Sequence, residues 1–159
     1  MISGPKMKKQ FKIETINQLG FVVRDLEKAS ELWEYAFGVG PFQILERPLE
    51  EIIYRGRTEV IQIKNALTRL GSLQLELIEV IRGKCCQGDY LEEKGEGLHH
   101  IGTFVNDLDE SLATVKQNGI EVLQIGTAVR SLRFAYLDTA VELGIVIEFI
   151  QIGKPKKKE

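Results

Sequence analysis

The chain has 159 residues, 43% of them hydrophobic and 28% charged, which is enough for one well-formed core. A net charge of −2 and a pI near 5.8 exclude the strongly basic footprint of a general nucleic-acid binder. No apolar run approaches the roughly 18 residues of a membrane span and no signal-peptide pattern opens the chain, so a cytoplasmic protein with neither membrane nor nucleic-acid partners is expected.

Residues 1–11 and 153–159 read as polar tails, the second carrying the basic run Lys154-Pro155-Lys156-Lys157-Lys158, a solvated end. Residues 14–23 alternate as a strand, and Asp25 caps a helix reaching about Phe37. Leu26, Ala29, Leu32/Trp33 and Ala36/Phe37 recur at helical spacing and give it one apolar face. Gly38 and Gly40-Pro41 stop it. Residues 42–45, 60–63 and 73–81 read as further strands, and the mixed stretch 50–58 as a loop or strand ends. Periodicity is lost over 83–96, the expected linker. It holds both cysteines, Cys85 and Cys86, whose adjacent Cα atoms, about 3.8 Å apart, fall short of the usual disulfide span of about 4.4 Å or more. Free thiols in a reducing compartment follow. Beyond the linker come a strand at 98–105 and a helix capped by Asp107, with Glu110 in the capping-box position. Leu108, Leu112 and Val115 line the inner face of that helix and Asn118-Gly119 ends it; strands at 121–125, 132–137 and 145–152 complete the chain.

The two halves repeat. Gln18-Leu19-Gly20-Phe21-Val22-Val23-Arg24-Asp25-Leu26 slides onto His100-Ile101-Gly102-Thr103-Phe104-Val105-Asn106-Asp107-Leu108 with a shift of 82 (100 − 18), matching Gly, Val, Asp and Leu. Each half is β-α-β-β-β. The expectation is an α+β fold over 12–152, built from two pseudo-symmetric modules, 12–82 and 97–152. Each module has one helix to cover its strands, so the two sheets curl around a shared cleft on the face away from the helices.

Alternation along a strand decides what enters that cleft. Leu73, Leu75 and Leu77 share one face and Gln74 and Glu76 the other, while Glu148 is the single charge in the apolar run 145–150. An unpaired buried carboxylate is costly, so Glu148 must meet water, a cation or a metal. Gln18 and His100 occupy one repeat position; Glu76 and Glu148 occupy another, offset by 72 (148 − 76) because the second half is shorter. One imidazole, two carboxylates and an amide oxygen suit one divalent ion, Zn, Ni, Co or Mn, whose charge the two glutamates balance. His99, one residue along, is expected on the opposite face in a structural role. Arg55, Arg57 and Arg133 are candidate cationic anchors for an anionic group of a bound molecule.

The stretches Gln18 to Leu26, Leu75-Glu76-Leu77-Ile78, Gly97-Leu98-His99-His100-Ile101-Gly102 and Gly144-Ile145-Val146-Ile147-Glu148 resemble the vicinal oxygen chelate superfamily. Gly40-Pro41-Phe42 and Phe134-Ala135-Tyr136-Leu137-Asp138 resemble its glyoxalase I and methylmalonyl-CoA epimerase subgroup. The resemblance implies metal ligation by Gln18, Glu76, His100 and Glu148. Most members place His where this chain has Gln18, although some glyoxalase I enzymes use Gln. A single cleft histidine does not supply the two that extradiol dioxygenases need. The implied activity is a metal-dependent lyase or isomerase reaction that removes a proton next to the carbonyl of a thioester or glutathione-type conjugate. Glu148 is the leading base and Glu76 its partner for the opposite face. The alternative is a resistance-type protein of this fold that binds a small molecule without turnover. Dimers are common where the fold occurs, so a homodimer is the assembly the resemblance suggests.

Overall fold

The computed structural model describes residues 8–128 and 131–154. Module one runs β1 (Gln18–Val22), α1 (Leu26–Phe37), β2 (Gln43–Glu46), β3 (Glu50–Tyr54), β4 (Arg57–Leu70) and β5 (Leu73–Arg82). After α2 (Cys86–Lys94), module two runs β6 (Gly97–Phe104), α3 (Leu108–Gln117), β7 (Val122–Ala128), β8 (Leu132–Leu137), the short α4 (Ala140–Leu143) and β9 (Val146–Ile152). Asp25 and Asp107 cap α1 and α3 by accepting hydrogen bonds from the backbone N–H groups of Lys28 and Glu110.

Two segments differ from the sequence expectation. The stretch at 50–58, expected as a loop or strand ends, holds the whole of β3 and the start of a long β4. Ile52 and Tyr54 point inward while Glu51 and Ile53 point out, so a strand hides behind its glutamates. Arg55 (φ 49°) and Gly56 (φ 75°) form the connecting two-residue turn, whose positive φ angles match the twist of a hairpin. Module one therefore has five strands to module two's four. The expected linker contains α2, whose buried residues are only Cys86 and Gln87, too small and polar to leave an apolar period. Both cysteines are free and buried, packed with Ile61, Ile63, Ile78, Leu123 and Phe134.

Eight strands pair in a closed ring, β4-β3-β7-β8-β9-β6-β1-β5 and back to β4, with β2 added alongside β4. The parallel pairs β1–β5 and β6–β9 are equivalents in the two modules, and the modules join through the antiparallel pairs β1–β6 and β3–β7. The helices cover the outside. Leu26 of α1, with Ala29 and Trp33, packs on Ala66 and Leu77. Leu108, Leu112 and Val115 of α3 pack on Ala135, Leu137, Ile147 and Phe149. Leu32 and Phe37, assigned to the inner face of α1 by spacing, remain exposed. Phe11, placed in the N-terminal tail, lies with its ring 4.4 Å from that of Phe149. The basic run at 154–158 lies outside the described residues after Lys154. Among the described residues no helix is long and apolar enough to cross a membrane.

Candidate active site

With Leu77, Ile147 and Phe149 committed to the helices, alternation turns Glu76 and Glu148 inward, as expected from the sequence. The strand register then explains the glycines of the repeat. Gly20 of β1 lies between Glu76 of β5 and His100 of β6, and Gly102 of β6 lies between Gln18 of β1 and Glu148 of β9. Each glycine is flanked by two of the four candidate side chains. A Cβ added to Gly20 would stand 1.9–2.5 Å from atoms of the His100 ring, and one on Gly102 would stand 3.1 Å from Gln18 Cβ. The missing side chains are the space in which the site is built.

All four candidate residues come together. His100 Nε2 lies 3.1 Å from Gln18 Oε1, 3.1 Å from Glu148 Oε2 and 3.4 Å from Glu76 Oε2. His100 is fully buried, and Gln18, Glu76 and Glu148 are at most 9% exposed. A single ring N–H cannot serve three acceptors, and Glu148 Oε2 is buried with no hydrogen-bond donor aligned on it. Burial opposes charging His100, yet Glu148 and Glu76 together raise its pKa to about 9. Burial likewise raises Glu148, against the opposing pull of His100 and the Tyr136 hydroxyl. Candidate ligand atoms of Glu76, His100 and Glu148 all fall within 4.8 Å of one another. This crowd of acceptors and its orphaned oxygen fit a divalent cation, with the nitrogen and oxygen donors that Zn, Co, Ni or Mn accept.

Neighbouring side chains fix the orientation. Gln18 Nε2 donates to Gln74 Oε1 at 2.8 Å, which turns its Oε1 toward His100. Asn65 Nδ2 donates to Glu76 Oε1 at 2.7 Å and leaves Oε2 for the site. Tyr136 pairs across β8–β9 with Glu148, and its ring stands edge-on to His100 at 5.0 Å. Sequence reasoning did not assign these supports, because register across strands is not written in any one strand.

His99 departs from its expected place. The β1–β6 register slips between Gly20 and Phe21, leaving His99 as the extra residue of a bulge. Simple alternation fails there. Its Nδ1 is 3.0 Å from His100 Nδ1, and its ring, like that of His100, packs against Tyr136. Burial and the neighbouring His100 lower its pKa to about 3, so it stays neutral. The three expected arginine anchors are engaged elsewhere or exposed. Arg133 grips Asp109 through two hydrogen bonds of 3.0 and 2.9 Å, Arg55 donates to Tyr54 at 3.0 Å, and Arg57 is exposed. None of the three lines the cleft. Among the described residues the arginine that does is Arg47, just past β2, paired with Glu50.

The cleft holds about 400 Å³. Ile61, Ile63, Leu67, Phe134 and Ile150 give it apolar walls, and Gln18, Glu76 and Glu148 face it at one side. It is an open-mouthed cleft with apolar walls and a cluster of hard donors, a form suited to chemistry on a small acyl group.

Comparison with known proteins agrees with this architecture. Residues 17–136 match the family model of the glyoxalase/bleomycin resistance protein/dioxygenase superfamily. The uncharacterised protein YqjC of Bacillus subtilis (strain 168) is 25% identical over 108 residues, 68% of this chain and 69% of that one. Among solved structures, a methylmalonyl-CoA epimerase in complex with methylmalonyl-CoA superposes with a TM-score of 0.69 at 20% identity, over 92% of this chain and all of the other. The methylmalonyl-CoA epimerase of Mycobacterium tuberculosis gives 0.66 at 18% identity, over 92% and 93% of the two chains. A hypothetical protein from Bacillus halodurans C-125 gives 0.63 at 20% identity, over 91% and 98%. These likenesses share the curled sheet, and the match over residues 17–136 carries the assignment: the chain belongs to the glyoxalase/bleomycin resistance protein/dioxygenase superfamily, the vicinal oxygen chelate proteins.

Proposed function

We propose that this protein is a divalent-metal-dependent enzyme that moves a proton at the carbon next to the carbonyl of a thiol-conjugated substrate. The observation that carries the reading is Glu148 Oε2, a buried carboxylate oxygen without an aligned donor, beside His100 on the wall of an apolar cleft. Gln18, Glu76, His100 and Glu148 would hold the ion, which when bound supplies positive charge to polarise a carbonyl and stabilise the negative charge that develops on its oxygen. The chain's own residues do the rest. The apolar walls exclude water and press the substrate C–H against the carboxylates. Glu148 takes the proton on the carboxylate oxygen that the ion would leave free, while His100 and the Tyr136 hydroxyl limit how far burial weakens its ionisation. Glu76, on the equivalent strand of the other module, serves the opposite face of the same carbon.

Two carboxylates, one from each module, suit epimerisation, in which one removes a proton and the other returns one. Structural likeness to methylmalonyl-CoA epimerases supports a 2-substituted malonyl thioester over a glutathione hemithioacetal. The test is solvent-deuterium exchange by zinc-loaded protein, run in parallel on methylmalonyl-CoA and the methylglyoxal–glutathione adduct. Deuterium is expected at the malonyl carbon. Exchange into neither compound would remove both reactions and leave a binding protein.

Asn65→Leu tests the arrangement without touching the four donors. Glu76 would lose the partner that orients it, and zinc affinity is expected to fall about 10- to 100-fold. Asn65 Oδ1 is itself buried without a partner, so the apolar replacement also removes an unsatisfied atom, and the fold is expected to persist. Competition for zinc against a chromophoric chelator measures the effect; an unchanged affinity would mean that Asn65 does not orient Glu76.

A further inference from the structure

The inner end of α2 presents a second polar feature to the cleft, independent of the four metal-site donors. Gln87 is 1% exposed yet lines the cleft, as does Gln124 of β7. Which way each amide points follows from a chain of bonds that begins at a group with no choice. The backbone N–H of Cys86 can only donate, and it donates to the Gln124 side chain at 2.8 Å, so that atom is Oε1. Gln124 therefore offers Nε2, which donates to Gln87 Oε1 at 3.4 Å; the Cys86 thiol donates to the same oxygen at 3.3 Å. Gln87 Oε1 is thus occupied from two sides. Among the described residues its Nε2 donates to no protein group, and it is not among the buried atoms left without a partner, so it opens to the cleft.

Gln124, which holds this donor in place, stands in register with the candidate metal site. Gln124 pairs across β7–β8 with Tyr136, which pairs across β8–β9 with Glu148. Three side chains in a row span two strand spacings, on the order of 10 Å. A small acyl unit held beside Glu148 reaches that far only through a second functional group.

We propose that Gln87 is a substrate-recognition residue whose amide N–H groups bind an oxygen acceptor, in particular a carboxylate, at the end of the acyl unit remote from the reacting carbonyl. The proposal rests on the metal-site reading and adds its specificity: substrates carrying a second oxygen-bearing group are selected over simple acyl conjugates. Gln124 and the Cys86 thiol act as positioning groups that keep Gln87 from rotating its oxygen into the cleft. The buried Cys86 thiol acquires a use in this way.

The test uses zinc-loaded full-length protein and two kinds of probe. Acetohydroxamate chelates zinc and carries nothing further; the monohydroxamates of malonic, succinic and glutaric acid add a carboxylate at increasing reach. One of the three is expected to bind wild type about 10-fold or more tighter than acetohydroxamate, the size of one hydrogen bond to a charged group. Gln87→Leu is expected to abolish that gain and leave acetohydroxamate affinity within about twofold, on the same basis. Gln87→Glu retains an oxygen for Gln124 and Cys86 while replacing the donor, and it is expected to turn the gain into a loss, which separates recognition from damage to the fold. If no carboxylate probe gains over acetohydroxamate, or if the gain survives both substitutions, Gln87 does not recognise substrate even though the metal site stands. If acetohydroxamate itself fails to bind zinc-loaded wild type, the metal-site reading fails and this inference falls with it.

Discussion

Glu148→Gln is expected to slow deuterium uptake into methylmalonyl-CoA by about 10²- to 10⁴-fold, the range in which a positioned general base contributes. The substitution preserves shape and keeps one oxygen toward His100, but its amide cannot accept the substrate proton. Zinc affinity should fall as well, because the site loses one of the two negative charges that balance the ion. The two effects are separable: exchange is measured at saturating zinc, with occupancy confirmed by metal analysis, so that any remaining deficit belongs to the base. The fold is expected to survive, since Ile147 and Phe149, the neighbours of Glu148, carry the packing against α3. A zinc-saturated variant that exchanges as fast as wild type would move the base to another residue and remove the role assigned to Glu148.

Much of this site is legible in the sequence because it rests on two short-range regularities. Alternation sends Glu76 and Glu148 to the face opposite Leu75 and Phe149, and the repeat puts Gln18 and His100 at equivalent positions. Neither requires knowing which strands are neighbours. What stayed hidden depends on such knowledge. Strand β3 reads as no more than a loop or strand ends because Glu50 and Glu51 dilute its alternation; its inward pair, Ile52 and Tyr54, makes sense only once β3 closes the ring against β7. Arg47 enters the cleft because β2 docks on β4, whereas Arg55, Arg57 and Arg133, equally charged, end on turns and outer faces. Helix α2 has no apolar stripe, since what it buries is a thiol and an amide. The bulge at His99 breaks the alternation that otherwise makes β6 readable, and it does so at the site itself, where bulges serve to re-aim side chains.

The space taken up by the His100 ring makes Gly20 a sensitive position outside the four donors. Gly20→Ala is expected to destabilise the protein by about 1–3 kcal/mol, the usual cost of overpacking a filled core. It is also expected to weaken zinc binding by at least the roughly 100-fold upper range seen when a supporting contact is lost. The new methyl would meet the His100 ring itself rather than the end of a flexible chain. That ring cannot retreat: Tyr136 and His99 pack against it, and three oxygens surround Nε2. Gly20 has an ordinary backbone conformation, so the penalty comes from space and not from φ. Gly102→Ala, at the equivalent position, meets Gln18 Cβ and the Ile150 side chain at 3.1 Å and Gln18 Oε1 at 3.2 Å. Shifts of a few tenths of an ångström absorb that, so the milder variant provides the control. Urea denaturation and zinc titration of the three proteins should rank wild type above Gly102→Ala and Gly102→Ala above Gly20→Ala in both measurements. If Gly20→Ala bound zinc as tightly as wild type, the imidazole could not be occupying the space over Gly20. The convergence of Gln18, Glu76 and Glu148 on His100 Nε2 would then have to be abandoned, because the empty place beside Gly20 is what allows the ring to stand between the two modules.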